Sequence, residues 1–173
     1  MLVCFVISIV NTDERLHAET NSAAVYKAAA NSITVDELKS HIEFLASDSL
    51  EGREAGSQGG QAAGTYIRTF LQKHGIQPGM AEEGYFQEFD GGFRNIIGLI
   101  PGNDPELKKE YVVIGAHYDH VGYGKPSNSR GGVGQIHNGA DDNASGTAAL
   151  LEVIEAISLH KELPRRSILF VFW

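Results

Sequence analysis

Two short segments bring together side chains able to hold a metal ion. The first, Gly115-Ala116-His117-Tyr118-Asp119-His120, sets an imidazole and a carboxylate two residues apart. In extended backbone, residues i and i+2 face the same way. Asp119 can therefore take the spare ring N–H of His117, fix its tautomer and make the other ring nitrogen a better ligand. The second, Gly139-Ala140-Asp141-Asp142-Asn143-Ala144-Ser145-Gly146, offers two adjacent carboxylates where a helix begins. A carboxylate that bridges two metal ions about 3.5–4 Å apart lets them share and activate one water. Plainer uses compete with this chemistry. A lone strand-end histidine is commonly a surface residue, and Asp141, Asp142 and Ser145 could serve only as turn and N-cap residues.

The elements that must position these groups are legible as changes of pattern. Thr34-Val35-Asp36-Glu37 has the form of a capping box, and Leu38, Ile42, Phe44 and Leu45 follow at helical spacing up to Ser47. Ser49–Gln61 is polar and Gly-rich and reads as a loop, before a second helix over Gln61–His74 stopped by Gly75. Phe86–Phe89, Asn95–Ile100 and Tyr111–Ala116 read as strands, separated by Gly91-Gly92 and Pro101-Gly102-Asn103-Asp104. Val112-Val113-Ile114 is continuously apolar, which predicts burial on both faces. Gly122–Gly139 reads as a long exposed loop. Ala144–His160 follows as an apolar helix, with Leu150, Leu151, Val153, Ile154 and Ile157 packing inward. Ser167–Trp173 is a further apolar strand, suited to the middle of a sheet but without evident flanking elements. His41, His74 and His160, in or at the ends of helices, are expected to face solvent.

This order predicts an α/β fold, a three-layer αβα sandwich around a mixed, mostly parallel sheet, with residues 32–173 in one domain. Ligands of such sheets gather beyond the carboxyl ends of the strands. His117 and Asp119 fall there.

Composition bounds the function. The 173 residues suffice for one core, and 42% hydrophobic with 21% charged residues is a globular balance. The net charge of −8, with no run of Lys or Arg, argues against nucleic-acid binding. Cys4 is the single cysteine, so no intrachain disulfide forms. The apolar stretch Leu2–Val10 is too short to span a bilayer. No Lys or Arg precedes that stretch, so Met1–Asn31 is read as a degraded or mis-started export signal with a flexible lead-in, the alternative being a disordered N-terminus with a few apolar residues. That makes the protein secreted or periplasmic; a cytoplasmic location stays open.

A calcium loop is the competing reading of the second segment. Asp141, Asn143, Ser145, Gly146 and Glu152 have EF-hand spacing, but Gly131–Gly139 is a poor entering helix and no second hand follows.

The whole arrangement, rather than either segment, carries a family resemblance. Tyr111–Trp173 resembles, element by element, the zinc-dependent aminopeptidase family that includes bacterial leucyl aminopeptidases. Glutamate carboxypeptidase II, glutaminyl cyclase and the transferrin-receptor ectodomain are relatives within that family. The upstream stretch Leu45-Ala46-Ser47-Asp48-Ser49-Leu50-Glu51-Gly52-Arg53, the helix end Gly75-Ile76-Gln77-Pro78, and Asn95-Ile96-Ile97-Gly98 with Pro101-Gly102 are similar to it too. The resemblance implies a zinc peptidase acting on the N-terminal bond of peptides through two zinc ions. It makes His117 a zinc ligand, Asp119 the residue that orients it, and Asp142, three residues before Ser145-Gly146, the bridging ligand. Asp141 would shape the loop, and His120 and His137 would at most line the cleft. The family's Glu-Glu pair, general base then ligand, is expected just after Trp173, so residues 32–173 would be the N-terminal part of a catalytic domain and inactive alone. Carboxypeptidase and cyclase chemistry share these motifs. The alternative is a non-catalytic relative that keeps the fold for binding.

Overall fold

The computed structural model describes residues 24, 27–80, 84–129, 131–159 and 163–173. The export-signal reading of Met1–Asn31, with Cys4, falls almost wholly outside them, as does His160.

Helix α1 (Val35–Leu45) starts where its capping box places it. Thr34 Oγ1 accepts the Glu37 amide at 3.2 Å and donates to Glu37 Oε2 at 2.6 Å. Helix α2 (Gln58–Lys73) begins earlier than expected, capped by Ser57, which accepts the Gly60 amide at 3.1 Å. The glycines that suggested a loop are instead needed for close approach. A Cβ on Gly60 would lie 2.5 Å from the Glu54 carbonyl oxygen, and one on Gly59 would collide with the Leu50 carbonyl. Helix α3 (Ser145–Ser158) buries Leu150, Leu151 and Ile154 as expected, together with Thr147, Ala148, Glu152 and Ala156, while Val153 and Ile157 are half-buried.

The strands are β1 (Gln77–Pro78), β2 (Phe86–Phe89), β3 (Phe93–Ile100), β4 (Tyr111–Ala116) and β5 (Ser167–Phe172). They form one open sheet in the order β1-β3-β5-β4, with β2 also on β3. The mixed sheet is as expected, but parallel pairing is confined to β4–β5 among the described strands. Connection length explains the difference. Three residues join β2 to β3 and force a hairpin, whereas the α3 crossover lets β5 return alongside β4 in the same direction. β5 is central, as its apolar run implies, and flanked on both sides. The expectation that it lacks neighbours is corrected: the edges without a partner among the described strands are that of β4 on one side and those of β1 and β2 on the other.

Helices α1, α2 and α3 share one core with one face of the sheet. Leu45, Ile67, Leu71, Leu151 and Ile154 pack with Ile96, Phe170 and Phe172, each such side chain contributing about 1.5–3 kcal/mol on burial. The described residues thus supply two of the three expected layers. On the opposite face Val113 is 62% exposed, and Val112, near the strand start, is 44% exposed, so neither is buried as their apolar run suggested. No described helix is long and apolar enough to cross a membrane.

The helix layer holds two histidines expected in solvent. His41 is buried between the Tyr66 hydroxyl, 2.6 Å from Nδ1, and Glu152 Oε1, 3.2 Å from Nε2 but off the line of a hydrogen bond. His74 stacks on Phe70 at 4.2 Å, with Nε2 3.7 Å from Glu155 Oε2. Both lie on the packed sides of their helices, where the aromatic rings of α2 draw them in.

Burial pushes both imidazoles below their ordinary pKa, with Glu155 pulling the other way. The unfolded chain takes up these protons at about pH 6.5, so the stability each contributes is complete above that pH and is lost as pH falls toward the folded value. Glu152, raised by burial, has the opposite sign: it takes up its proton before the unfolded chain does, so stability returns on acidification. Thermal unfolding should therefore shift downward between about pH 7 and 5.5, and His41→Gln should flatten that slope. An unchanged slope in the variant would place the acid sensitivity elsewhere.

Candidate active site

β4 ends at Ala116, and the chain turns at once into His117-Tyr118-Asp119-His120. Tyr118 anchors the turn: its amide donates to the Trp173 carbonyl at 2.9 Å, and its buried phenol donates to the Arg94 carbonyl at 3.0 Å. Burial raises the phenol's pKa and keeps it a donor. The carbonyl of His117 accepts from Asn143 Nδ2 at 3.1 Å and from Thr147 Oγ1 at 3.0 Å. Asn143 Oδ1 also accepts the Gly146 amide at 3.2 Å, in the first turn of α3. The capping role open to Asp141, Asp142 or Ser145 thus falls to Asn143, and Ser145 Oγ donates back to the Asp141 carbonyl at 2.9 Å. One asparagine fastens the start of α3 to the end of β4.

The His117 ring lies between two carboxylates. Nδ1 is 3.3 Å from Asp119 Oδ1 and equally far from the Asp119 carbonyl, and Nε2 is 3.1 Å from Asp142 Oδ1. The i, i+2 spacing therefore places Asp119 behind His117, and the turn after Gly139 brings Asp142, rather than Asp141, to its front. Asp142 Oδ2 lies 3.9 Å from His120 Nδ1. Burial lowers the His120 pKa, and the Asp142 charge partly opposes this. The Asp142 side chain is 69% exposed against 35% for His117, so the carboxylate faces the open side of the cleft. Asp141 is exposed and takes part through its carbonyl. His137 serves its own loop: Nε2 contacts Ser129 Oγ at 2.9 Å and the Gly132 carbonyl at 3.1 Å. Its ring centre is 6.5 Å from that of His120. Among the described residues, no three His, Cys, Asp or Glu side chains are grouped closely enough to hold a metal ion. The calcium-loop reading fails on placement, since Glu152 is buried against His41 and residues 131–139 form no entering helix.

The sequence pattern assigned no role to Arg53, which is wholly buried beneath this site. Its Nε donates to the Tyr118 carbonyl at 2.9 Å, Nη1 to the carbonyls of Leu45 and Asn138 (2.6 Å to the latter), and Nη2 to that of Gly139 at 2.9 Å. Burial lowers its pKa, and the charges of Asp119 and Asp142 raise it again. Glu51-Gly52-Arg53 lies in a run of left-handed backbone, at φ of 50°, 72° and 49°, which carries no periodicity to mark a buried residue.

Comparison with known proteins bears on this arrangement. Residues 95–173, from β3 to the end of β5 and its last residue, match peptidase family M28. A probable leucine aminopeptidase of Arthroderma otae is 34% identical over 133 residues, which is 73% of this chain and 30% of that protein. The chain thus spans under a third of the length of this curated relative. Legionella pneumophila LapA aminopeptidase has the same fold, with a TM-score of 0.66 at 18% identity over 99% of this chain and 40% of its own. A Zn-dependent exopeptidase of Parabacteroides distasonis is 25% identical, covers 81% of this chain and 46% of its own, and gives a TM-score of 0.54. The M28 match takes in both chemistry-bearing segments and the strands that frame them.

Asn143→Ala should cost about 1 kcal/mol in urea unfolding, the usual worth of a helix-start acceptor. It should also release the Gly146 amide from its side-chain acceptor, read as faster exchange of that amide, and leave the His117 carbonyl with the Thr147 hydroxyl. A variant as stable as the parent would show that Thr147 alone holds the two elements together.

Proposed function

We propose that the whole protein is a metallo-aminopeptidase that removes residues from free peptide N-termini. The observation that carries this is the His117 ring, backed by Asp119 and faced by Asp142, at the carboxyl end of β4 in an M28 region. An imidazole and a carboxylate side by side are the donor set zinc takes, and catalytic zinc usually holds three protein ligands plus water. His117 and Asp142 would supply part of that shell. When bound there, zinc lowers the pKa of its water toward neutrality and polarises the scissile carbonyl.

The chain's own residues do the positioning. With a metal bound, Asp119 would hold the proton on Nδ1 of His117 and leave Nε2 as the donor atom. Asp142 turns one oxygen to His117 and the other toward His120, the orientation a carboxylate needs to reach two centres at once. Two zinc ions are the count we propose, and Asp142 would be the ligand they share. Export from the cytoplasm, carried by the apolar segment Leu2–Val10, belongs to the same proposal.

A second reading keeps the fold as a non-catalytic binding domain. It is favoured by the lack of a third grouped ligand among the described residues.

The intact protein should release the chromophore from leucyl anilides and lose this activity to a chelator. Turnover that persists after thorough chelation, in protein free of zinc, would remove the metallopeptidase reading. Inactive protein that still binds peptide would favour the second.

The two adjacent aspartates should separate in the same assay. Asp142→Asn should nearly abolish activity, because a neutral amide is a poor bridging ligand, whereas Asp141→Asn should cost far less. Asp119→Asn should fall between them, at about 10–100-fold. Equal losses from Asp141→Asn and Asp142→Asn would overturn the assignment of Asp142 alone.

A further inference from the structure

Every donor direction that Arg53 uses ends on a main-chain carbonyl, and those carbonyls belong to three separate segments. Leu45 closes α1, Tyr118 lies between His117 and Asp119, and Asn138 and Gly139 lead into Asp142. The Gly139 carbonyl also accepts the Ala144 amide at 3.1 Å, so Arg53 reaches the start of α3 through one shared oxygen. Its own carbonyl accepts the His120 amide at 3.0 Å. Arg53 is therefore held at both ends of the pair His117 and Asp142, donating through its guanidinium and accepting through its carbonyl, without a hydrogen bond to either side chain.

We propose that Arg53 is the positioning residue of the site: by tying the Tyr118 and Gly139 carbonyls to one rigid plane, it sets the separation of His117 and Asp142 before any metal binds. This rests on the reading of those two residues as metal ligands. The planar fork is what the role requires. Arginine presents five N–H donors in fixed directions, whereas a lysine ammonium on a flexible stem cannot serve four carbonyls in these places at once. A buried cation is tolerated here because carbonyl dipoles surround it and the Asp119 and Asp142 charges oppose the cost of burial. The same charges link the guanidinium to the carboxylates it positions.

The test compares the intact wild-type protein with Arg53→Lys and Arg53→Met. In metal-free protein, amide hydrogen exchange at His120 and Ala144 should quicken at least about tenfold in Arg53→Lys, while the amides of β5 and the middle of α3 keep their protection. Zinc affinity, read by competition with a chromogenic chelator, should fall about 10–100-fold. On leucyl anilides kcat should fall with KM little changed, the mark of a misplaced reacting group rather than lost substrate binding. Arg53→Met should be worse on every count. Unchanged exchange at His120 and Ala144 with unchanged zinc affinity overturns the proposal. So does faster exchange spread evenly over β5 and α3, which would make Arg53 a core residue only. If neither variant folds, wild-type protein decides: His120 and Ala144 must exchange as slowly as the α3 interior, and exchange as fast as that of Gly131 and Gly132 refutes the clamp. Should the wild type bind no zinc, the functional reading fails while the metal-free exchange still judges Arg53.

Discussion

A guanidinium removed from water must find oxygen for its N–H groups, and this need shapes the cleft end of the molecule. Arg53 meets it with the carbonyls of Leu45, Tyr118, Asn138 and Gly139, at a helix end, beyond a strand end and in a loop, the last of them shared with the Ala144 amide. The constraint runs both ways. The charge is tolerated only if these segments converge, and the segments share one donor group only if the charge is there. Leaving such a charge buried without its acceptors costs several kcal/mol. Gly59 and Gly60 belong to the same arrangement, because α2 must lie against the Leu50 and Glu54 carbonyls for the loop to bring Arg53 under the sheet edge.

Around this clamp the packing divides into a dry half and a chemical half. The dry half is the core of Phe170, Phe172, Ile96, Ile67 and Leu151, which fixes α3 against β4 and β5. The parallel return of β5 alongside β4 then dictates where the chemistry stands. It puts the end of β4 and the start of α3 at one edge, and the Asn143 and Thr147 bonds to the His117 carbonyl tighten that proximity to hydrogen-bond distances. The polar contacts that set the site are mostly to main chain. Such contacts hold a geometry with little dependence on the rotamers of exposed side chains.

Much of this was legible in the residues, for reasons that also mark where legibility stopped. β4 matches Tyr111–Ala116 and α1 its capping box because both signals are local: a β-branched run between turns, and a hydroxyl three residues before a carboxylate. The pairing of His117 with Asp119 is a matter of two residues of backbone, and the family resemblance supplied Asp142. What escaped was set by distant partners. Gly59 and Gly60 look like loop glycines until the carbonyls that would meet their side chains are placed. His41 reads as a surface residue until Glu152, far along the chain, packs over it. Val112 and Val113 are apolar enough for a buried strand, but burial depends on what covers the sheet, and α1, α2 and α3 lie on the other face from Val113. Arg53 sits in a polar loop where composition predicts exposure, and only the convergence of three segments shows otherwise.

The contrast between His117 and Asp142 follows from how each is held. His117 is fixed from several directions, by Asp119 at one ring nitrogen and by Asn143 and Thr147 at its carbonyl, and it is correspondingly half-buried. Asp142 is fixed through the backbone on either side of it, by Arg53 at Gly139 and by the first turn of α3 after it, while its carboxylate stays largely in solvent. A carboxylate left in water keeps its charge at little cost, and it can settle on a cation without first breaking a buried bond. An imidazole backed by a carboxylate gives the opposite benefit, a donor whose direction is set in advance. The pair therefore joins one preorganised ligand to one that adapts, and the main-chain clamp beneath them decides how far the second must move.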